Sequence, residues 1–197
     1  DPIISTFAWP KIQFLLGFAQ LAPPTVILDV GCGSGYFTYY LERVGRVVAV
    51  DYSRVMLCLN PCANLVQASA FSLPFADSTF DLVFCSNLLH HLSDPLSAVC
   101  EMRRVSRQYV AISEPNRNNP LMLALALAKR EERNSLHFTR RYLRSIVEEG
   151  GLRTIACESL GFVTPNRMPR PVATLLSRLA APHPLAAYCV LLAQKSA

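Results

Sequence analysis

The sequence predicts an α/β fold built on a mainly parallel sheet, and three observations carry this prediction. Short apolar runs alternate with helical patterns along the whole chain. The first buried-strand pattern, Val26 to Val30, runs through glycines at alternate positions into an amphipathic segment. A second apolar run, Val47 to Val50, ends in Asp51. Strands that alternate with helices pair in parallel and carry helices on both faces, as in a doubly wound sheet.

Seven segments have the apolar pattern of strands: residues 26–30, 46–50, 64–68, 80–85, 107–113, 152–159 and 187–194. Helical patterns cover residues 10–20, 36–43, 53–59, 94–104, 119–132, 139–149 and 171–180. Pro95 suits the first turn of its helix, where a missing N–H group is harmless. Gly150 and Gly151 end the 139–149 helix.

The regular alternation is broken between Pro115 and Thr139, where two helical patterns follow each other without a strand between them. This insertion, residues 115–139, comes after the fifth strand, at the carboxyl edge where open α/β sheets bind ligands. We therefore expect a helical cap over a substrate. One domain is expected over residues 1–197, with an N-terminal helical segment at 1–22.

Composition narrows the classes of protein that this chain can represent. Apolar residues make up 51% of the chain and charged residues 17%, so a generous core and a partly apolar surface are expected. The net charge is +5, and three basic clusters contribute to it: Arg103, Arg104 and Arg107; Lys129, Arg130 and Arg133; Arg140, Arg141 and Arg144. We interpret them as solvated helix faces, because a nucleic-acid groove would interleave them with exposed aromatic rings. No nucleic-acid partner is expected.

The seven cysteines indicate a reducing compartment, and we expect a cytoplasmic protein. Their odd count and scattered positions argue against a disulfide framework. Cys58 and Cys62 have no second Cys or His pair nearby, so no metal site is expected. The longest apolar run, Leu121 to Ala128, is too short to cross a membrane.

The loop after the first strand indicates a nucleoside-like ligand. Gly31, Gly33 and Gly35 let bare backbone N–H groups approach a ligand at the start of a helix. Asp51, at the end of the second apolar run, can accept hydrogen bonds from both hydroxyls of a ribose. The dinucleotide fingerprint would require glycine or alanine where Tyr36 stands. The spacing therefore favours a nucleoside cofactor other than a dinucleotide.

Five stretches in order resemble the successive motifs of class I S-adenosylmethionine-dependent methyltransferases. They are Leu28-Asp-Val-Gly-Cys-Gly-Ser-Gly35, Val48-Ala-Val-Asp51, Ser69-Ala-Phe-Ser-Leu-Pro-Phe75, Phe80-Asp-Leu-Val83 and Asn87-Leu-Leu-His-His-Leu-Ser-Asp94. The branch that the chain is most similar to is the small-molecule group that includes quinone-biosynthesis methyltransferases. The resemblance is close over residues 26–115. It implies an enzyme that uses S-adenosylmethionine, with a seven-stranded Rossmann-like sheet whose last strand is antiparallel.

The resemblance also implies roles for cofactor-binding residues. Asp29 would fix the loop and the methionine amino group, and Asp51 would hold the ribose. Tyr52 would lie against the adenine ring and Met56 would close that pocket. The remaining predicted contacts are Gly31, Cys32, Gly33, Gly35, Ser69, Ala70, Phe71 and Ser86. Core packing is the alternative interpretation for Met56 and Phe71.

Ser69 departs from the family pattern, which usually has aspartate at this position. A hydroxyl accepts the adenine amino group's hydrogen bond more weakly than a carboxylate does, by about 1 kcal/mol. Ala70 would present its backbone N–H group to the adenine ring, with Phe71 beside it. Weaker cofactor binding is therefore expected from this position.

Candidate catalytic residues follow the fourth and fifth strands. His91 and His90 are expected close to the reactive methyl group, where a histidine can accept a proton at neutral pH. Bracing of the loop is the alternative role for this pair. Glu114 ends the fifth strand at the same edge and could orient an acceptor or a histidine, or have a structural role. His137 is a weaker candidate, reaching in from the cap.

The methyl acceptor is expected to be a small, apolar molecule that is methylated on oxygen or carbon. The position where amine-methylating enzymes carry Asn/Asp-Pro-Pro-aromatic reads Cys85-Ser-Asn-Leu88 here. The all-apolar stretch Leu121 to Ala128 suits an apolar acceptor. We expect a pocket roofed by residues 117–138 and by the N-terminal helix around Trp9 and Phe14. Two alternatives stay open: an RNA methyltransferase, and a methyltransferase-like scaffold with weak or no catalysis. The oligomeric state also stays open.

Overall fold

The computed structural model describes residues 2–162, 170–176 and 181–195. Its strands form one seven-stranded sheet in the order β3-β2-β1-β4-β5-β7-β6. The strands are β1 (Val26–Val30), β2 (Arg46–Asp51), β3 (Leu65–Gln67), β4 (Phe80–Ser86), β5 (Ser106–Pro115), β6 (Leu152–Leu160) and β7 (Tyr188–Lys195). β7 runs antiparallel to both of its neighbours, and the other pairs are parallel. The predicted fold class and all seven strands are confirmed.

Helices cover both faces of this sheet. They are α1 (Pro2–Leu16), α2 (Thr38–Leu41), α3 (Arg54–Leu59), α4 (Pro95–Val105), α5 (Pro120–Ala128), α6 (Arg140–Glu149) and α7 (Arg170–Leu176). Two 3₁₀ segments, Leu89–His91 and Arg130–His137, complete the described helical structure. One face buries apolar residues of α4 and α6, and the other buries those of α1 and α2. This two-sided cover explains why the central strands are apolar on both faces.

The sequence marks several helix starts through side chains that accept the orphan N–H groups of the first turn. Ser53, Asp94, Asn119 and Thr139 each precede a helix and accept a hydrogen bond from a backbone N–H group three residues later. Pro95 stands in the first turn of α4, as predicted. Gly150 follows the last residue of α6 and donates its N–H group to the Ile146 carbonyl.

Two of the helices differ clearly in extent from the prediction, and the predicted end of a third lies outside the described residues. The first helix was expected over 10–20 but spans Pro2–Leu16, so Pro10 lies inside it. Packing outweighs the cost of this proline, because Phe7, Ile12 and Leu15 are buried against the sheet. The helix expected over 36–43 is formed only at Thr38–Leu41. The predicted helix 171–180 is described as far as residue 176, and residues 177–180 lie outside the described part.

The expected cap contains a helix followed by a 3₁₀ segment and not one helix over 119–132. α5 ends at Ala128, and Lys129 is extended, with φ −116° and ψ 122°. The apolar pattern ends at this point and the charged stretch Lys129 to Arg133 begins. Among the described residues, no helix has both the length and the apolar character needed to cross a membrane.

The carboxyl ends of β1, β2, β4 and β5 meet at one edge of the sheet. The chain runs outward from β1 to β3 and then returns to place β4 beside β1. Such a reversal of strand order opens a crevice at the carboxyl edge, where open α/β sheets bind ligands. The glycine loop leaves β1 at this crevice.

Asn116 ties the end of β5 to the segment that leads into β7. Its side chain is buried, and Nδ2 donates to the carbonyls of Pro184 at 2.9 Å and Ala186 at 2.8 Å. Nδ2 also lies 3.3 Å from the Ser159 hydroxyl. The amide therefore connects three segments at the carboxyl edge.

We expect Asn116→Ala to lower the free energy of unfolding by about 1–3 kcal/mol, because buried carbonyls lose their donor. Urea denaturation followed by circular dichroism would measure this change. Asn118→Ala is the matched control, since Asn118 is exposed and also follows β5. Equal stability of the two variants would contradict a bracing role for Asn116.

Candidate active site

The glycine loop at residues 31–35 is held in a backbone conformation that requires glycine. Gly31, Gly33 and Gly35 have φ values of +71°, +52° and +88°. A Cβ atom on Gly31 would lie 2.9 Å from the Leu88 side chain, and one on Gly35 would lie 2.5 Å from Asn60 Oδ1. A Cβ atom on Gly33 would meet no atom within 4 Å. The loop is therefore packed on two sides and open at its middle.

Asp51 fastens the tip of β2 to this loop. Its Oδ2 accepts the Gly33 N–H group at 2.8 Å, and its Oδ1 accepts the Ser53 N–H group at 2.8 Å. A carboxylate oxygen can accept more than one hydrogen bond. Both oxygens thus keep capacity for a ligand hydroxyl while the carboxylate orders the loop.

Gly31 of the glycine loop lines two cavities. The first has a volume of about 330 Å³ and is mainly apolar, with Asp51 at its rim. Its other lining residues are Val30, Gly31, Val50, Tyr52, Ala68, Ser69, Ala70, Phe71, Leu88 and Leu92. The Tyr52 side chain is 78% exposed, so its ring is free to lie against a planar ligand.

The second cavity, of about 230 Å³, lies beside the ends of β1 and β4. It is lined by Phe7, Asp29, Gly31, Cys32, Gly33, Ser34, Tyr36, Phe37, Met56, Ser86 and Asn87. One carboxylate thus stands in each half of the groove, Asp51 in the first cavity and Asp29 in the second. The loop between them separates a larger half with Asp51 from a smaller half with Asp29, and polar groups make up more of the smaller half.

Asp29 is buried, and burial raises the pKa of its carboxyl group to about 7. The Thr38 hydroxyl donates to Asp29 Oδ2 at 2.6 Å and acts in the opposite direction on this pKa. The nearby charge of Asp51 raises the pKa further. A cationic ligand group beside Asp29 would favour its ionised form.

His90 and Glu114 form a buried ion pair behind the loop that follows β4. His90 Nδ1 lies 2.5 Å from Glu114 Oε2, and both side chains are buried. Glu114 Oε1 accepts the N–H groups of Leu88 and Leu89 at 2.9 and 2.8 Å. Glu132 Oε2 lies 3.5 Å from His90 Nε2. Burial lowers the pKa of His90, but Glu114 and Glu132 outweigh it and raise this pKa to about 9.

The geometry separates the expected catalytic candidates. A buried imidazolium with a pKa near 9 has no free lone pair at neutral pH, so His90 is not placed to act as a base. Glu114 is engaged by His90 and two backbone N–H groups, and it orders the loop instead of facing an acceptor. His91 is exposed, and its ring centroid lies 3.9 Å from that of His90. Burial first, and then the charge of His90, lowers the pKa of His91.

Comparison with known proteins identifies the domain that this groove belongs to. Residues 28–110 match the family model described as a methyltransferase domain. An uncharacterized methyltransferase of Schizosaccharomyces pombe is 32% identical in an alignment 135 residues long that covers 57% of this chain and 48% of the yeast protein. Malonyl-[acyl-carrier protein] O-methyltransferase of Serratia marcescens is 33% identical in an alignment 98 residues long that covers 47% of this chain and 38% of that protein. The chain thus spans less than half the length of these two curated relatives.

Solved structures agree on the fold. A SAM-dependent methyltransferase of Thermotoga maritima superposes with a TM-score of 0.77 at 18% identity, covering 98% of this chain and 91% of that one. A second, from Aquifex aeolicus, has a TM-score of 0.69 at 20% identity, covering 100% and 94%.

The chain carries a methyltransferase domain over residues 28–110, and its fold is that of S-adenosylmethionine-dependent methyltransferases. The groove fits this cofactor in its chemistry, because the apolar half with Asp51 suits a nucleoside and the half with Asp29 suits an ammonium group. The open space above Gly33 leaves room for a ligand against the loop backbone.

One predicted cofactor residue of the methyltransferase domain, Met56, lies differently from its expected place, whereas Ser69 lines the cavity with Asp51 as expected. Met56 lines the cavity beside Asp29 and not the cavity beside Tyr52 that it was expected to close. The Ser69 hydroxyl accepts the Phe71 N–H group at 3.2 Å and thereby holds the turn. Both Met56 and Phe71 are exposed at the cavities, so core packing does not describe them.

Ser86 lies at the end of β4 and lines the smaller cavity, which contains Asp29. This position agrees with the expectation that Ser86 lies near the methionine end of the cofactor. Its hydroxyl accepts a hydrogen bond from Asn87 Nδ2 at 3.2 Å. Asn87 has φ +53° and donates its N–H group to the Ser113 carbonyl. This left-handed residue turns the chain from β4 into the His90–His91 segment.

The cap of the methyltransferase domain reaches the histidine pair through its 3₁₀ segment, Arg130–His137, which packs against Leu89–His91. Its Glu132 approaches His90. His137, expected to reach in from the cap, has its ring 6.3 Å from that of Tyr142. Among the described residues, no group of three His, Cys, Asp or Glu side chains could hold a metal ion.

The N-terminal helix contributes a different aromatic residue from those expected. Trp9 packs near Tyr40 and Phe14 near Phe18, whereas Phe7 lines the cavity beside Asp29. The helical pattern predicted at 10–20 leaves out Phe7, and the prediction selected Trp9 and Phe14 instead. Phe37 and Leu88 also line the groove. Phe37 lies just after the first motif and Leu88 lies within the last one, but neither carries polar chemistry that would mark it.

Lys11 is a further residue that the sequence analysis missed. It is buried, and its Nζ lies 3.3 Å from the Phe7 ring centroid and 3.7 Å from that of Tyr188. Burial lowers its pKa well below the usual value. The available signal was that Lys11 is the single charged residue in the sequence of α1.

We expect the His90–Glu114 pair to make the protein less stable as the pH becomes alkaline. The pKa of His90 is raised from 6.5 to about 9. The contribution of the charged His90 to the free energy of unfolding is therefore complete below pH 6.5 and is lost as pH rises through 9. Between these pH values the free energy of unfolding of wild type should fall by about 3 kcal/mol more than that of His90→Gln. Urea unfolding at intervals from pH 6 to pH 9 would measure it.

His137→Gln is the matched control, since His137 is exposed and should leave the wild-type pH profile unchanged. If His90→Gln fails to fold, nuclear magnetic resonance titration of the wild-type His90 ring gives the same information. A His90 ring that titrates near pH 6.5 would contradict the buried ion pair.

Proposed function

We propose that the protein transfers a methyl group from S-adenosylmethionine to oxygen or carbon of a small acceptor with a substantial apolar part. The observation that carries the proposal is the groove divided by the glycine loop, with one carboxylate in each half. When bound, the cofactor supplies an electrophilic methyl group. The remaining work of the site is to hold it, exclude water and orient the acceptor.

Asp51 would accept the two ribose hydroxyls with the hydrogen-bonding capacity that Gly33 and Ser53 leave free. Tyr52 would lie against the adenine ring, and the backbone N–H group of Ala70 would reach the ring edge. Asp29 would accept the methionine ammonium group. A pKa of about 7 for Asp29 supports this role, because a carboxyl group that is half-protonated without ligand becomes fully ionised beside a cation.

An apolar acceptor is supported by the surface of the cap and by the walls of the smaller cavity. α5 exposes Leu121, Leu123 and Leu127. Phe7 and Phe37 line the cavity where the methyl group would lie. The Serratia relative is named an O-methyltransferase, which supports oxygen as the acceptor atom. A reducing compartment such as the cytoplasm suits seven free cysteines.

His91 is the better of the two histidines for a proton acceptor. Its lowered pKa keeps it neutral at pH 7, whereas His90 is charged. The charge of His90 is fixed by Glu114, which also holds the loop that carries His91. His91 would take the proton of a hydroxyl acceptor as the methyl group is transferred.

RNA as the acceptor is less well supported than a small molecule. Arg104 pairs with Glu101 and Asp77, and Arg107 pairs with Asp81. Two arginines of the first basic cluster are therefore engaged with carboxylates of the chain itself. A non-catalytic scaffold remains the outcome that the binding experiment below would favour if the cofactor does not bind.

We expect Asp51→Ala to weaken binding of S-adenosylhomocysteine by about 1–3 kcal/mol, because the ribose hydroxyls lose their acceptor. Isothermal titration calorimetry would measure the affinity. Asp81→Ala is the matched control, since Asp81 also accepts a backbone N–H group, that of Val26, but at the opposite edge of the sheet. Equal affinity of wild type and Asp51→Ala would reject the ribose contact.

We expect His91→Ala to lower the rate constant for methyl transfer by about 10²–10⁴-fold, with little change in cofactor affinity. Transfer of labelled methyl groups to metabolites of a cell extract would report the rate. His137→Ala serves as the control for loss of an exposed histidine. If His91 only braces the loop, the variant should lose cofactor affinity or stability, with a modest effect on turnover.

A further inference from the structure

A second polar cavity lies beside the start of α6, outside the groove described above. Its volume is about 540 Å³. The lining comprises Asn118, Thr139, Arg140, Arg141, Arg144, Cys157 and Glu158. Three of these seven side chains are guanidinium groups from one of the basic clusters first interpreted as a solvated helix face. We call this space the arginine cavity.

Positive charge exceeds negative charge in the arginine cavity. Arg140 Nη1 donates to Glu158 Oε2 at 2.7 Å, and Glu158 is the one acidic residue among the lining residues. The charges of Arg140 and Glu158 therefore offset each other. Within the described residues, Arg141 and Arg144 form no ion pair with a carboxylate. Two guanidinium charges are thus left to attract an anion.

Arg140 and Arg144 lie close to the Cys157 side chain in the arginine cavity. Burial raises the pKa of the Cys157 thiol, while Arg144 and Arg140 act in the opposite direction because their charges lie close to it. Cys157 itself is buried, with Sγ near the Arg140 carbonyl. A guanidinium group presents several N–H donors in a planar fork that matches the oxygens of carboxylate and phosphate.

The strand register gives the distance from this cavity to the cofactor groove. Ser86 of β4 pairs with Ser113 of β5, Ser113 pairs with Val190 of β7, and Val190 pairs with Glu158 of β6. Three strand spacings separate Ser86 from Glu158, or about 14 Å along the carboxyl edge. The arginine cavity and the cofactor groove therefore both lie at the carboxyl edge of the sheet.

The cap connects the two sites along this edge. Phe138 is buried at the end of the cap, and its ring centroid lies 6.2 Å from that of His90. The next residue, Thr139, lines the arginine cavity and caps α6 by accepting the Tyr142 N–H group at 3.2 Å. The same short segment thus borders the histidine pair on one side and the arginines on the other.

We propose that the arginine cavity binds the anionic end, a carboxylate or phosphate group, of an elongated acceptor whose other end is methylated at the glycine loop. The inference rests on the proposed methyl transfer and specifies its substrate class as an amphipathic acid. The apolar middle of the acceptor would lie under the cap, and the anion would fix its position along the sheet edge. Arg141 and Arg144 would be positioning residues.

The binding experiment uses inorganic phosphate and succinate as separate probes of the full chain at low ionic strength. Arginine side-chain signals in nuclear magnetic resonance spectra report binding. We expect wild type to bind at least one probe and Arg141→Gln/Arg144→Gln to bind it about tenfold more weakly or worse. The preferred probe tells phosphate from carboxylate.

Arg46→Gln/Arg153→Gln is the matched control, because it removes two exposed arginines at the opposite, amino-terminal edge of the sheet. It should keep wild-type anion affinity. Equal affinity in both double variants, or no binding of either probe to wild type, would overturn the proposal. S-adenosylhomocysteine affinity, measured on the same samples, should be unchanged in all variants and tests the cofactor site independently.

The acceptor itself is tested by incubating the protein with labelled S-adenosylmethionine and a cell extract. The labelled product should be retained on an anion-exchange column, and its yield should fall about tenfold or more in Arg141→Gln/Arg144→Gln but not in the control. A labelled product that passes through the column uncharged would refute the anionic acceptor while leaving methyl transfer established. Anion binding without cofactor binding would instead refute the methyl-transfer proposal and leave the anion site.

Discussion

The buried carboxylate of Glu114 fixes the position on which the rest of the site depends. It accepts the N–H groups of Leu88 and Leu89 and holds the His90 ring. A buried carboxylate is costly to leave without partners, so all of these contacts must form together. The result is that the chain leaving β4 has a single permitted path. Leu88 follows that path to the point where its side chain meets Gly31.

The glycine loop in turn takes its shape from that contact. Leu88 stands on one side of the loop and Asn60 on the other, and both lie too close to the loop backbone to tolerate a Cβ atom at Gly31 or Gly35. Asp51 then closes the loop from the tip of β2. Three strands thus determine one five-residue turn, and the two halves of the cofactor groove lie on either side of it. The site owes most of its geometry to the sheet, and the short α2 adds the Thr38 hydroxyl that holds Asp29.

Most of the fold could be predicted from the sequence because its signals are local. Each strand is a short apolar run bounded by turn residues, and the observed strand bounds lie close to the predicted ones. The glycine spacing and the acid at the end of β2 also indicated the cofactor groove. The α1 helix was misplaced because Pro10 resembles a helix start, whereas burial of Phe7 and Ile12 on the sheet decides its true extent.

The features that the sequence did not reveal depend on contacts between distant segments. His90 and His91 are adjacent and chemically identical. Glu114 and Glu132 nevertheless make His90 a cation, whereas burial and the charge of His90 keep His91 neutral. No spacing rule distinguishes them. Met56 likewise faces the opposite half of the groove from the one expected, because that choice is set by how α3 packs beside the loop. The convergence of Arg140, Arg141 and Arg144 on one cavity requires β6 to lie beside the start of α6.

The position of Cys32 bears on whether the bound cofactor could methylate the protein itself. It stands in the glycine loop, close to where a strong alkylating agent is bound, and a thiolate would be a better nucleophile than most metabolites. Burial, and then the charges of Asp29 and Asp51, raise the pKa of this thiol to about 12. At pH 7 only about one molecule in 10⁵ carries the reactive thiolate. Burial of this thiol, helped by the two carboxylates suited to the cofactor, therefore keeps the protein from alkylating itself.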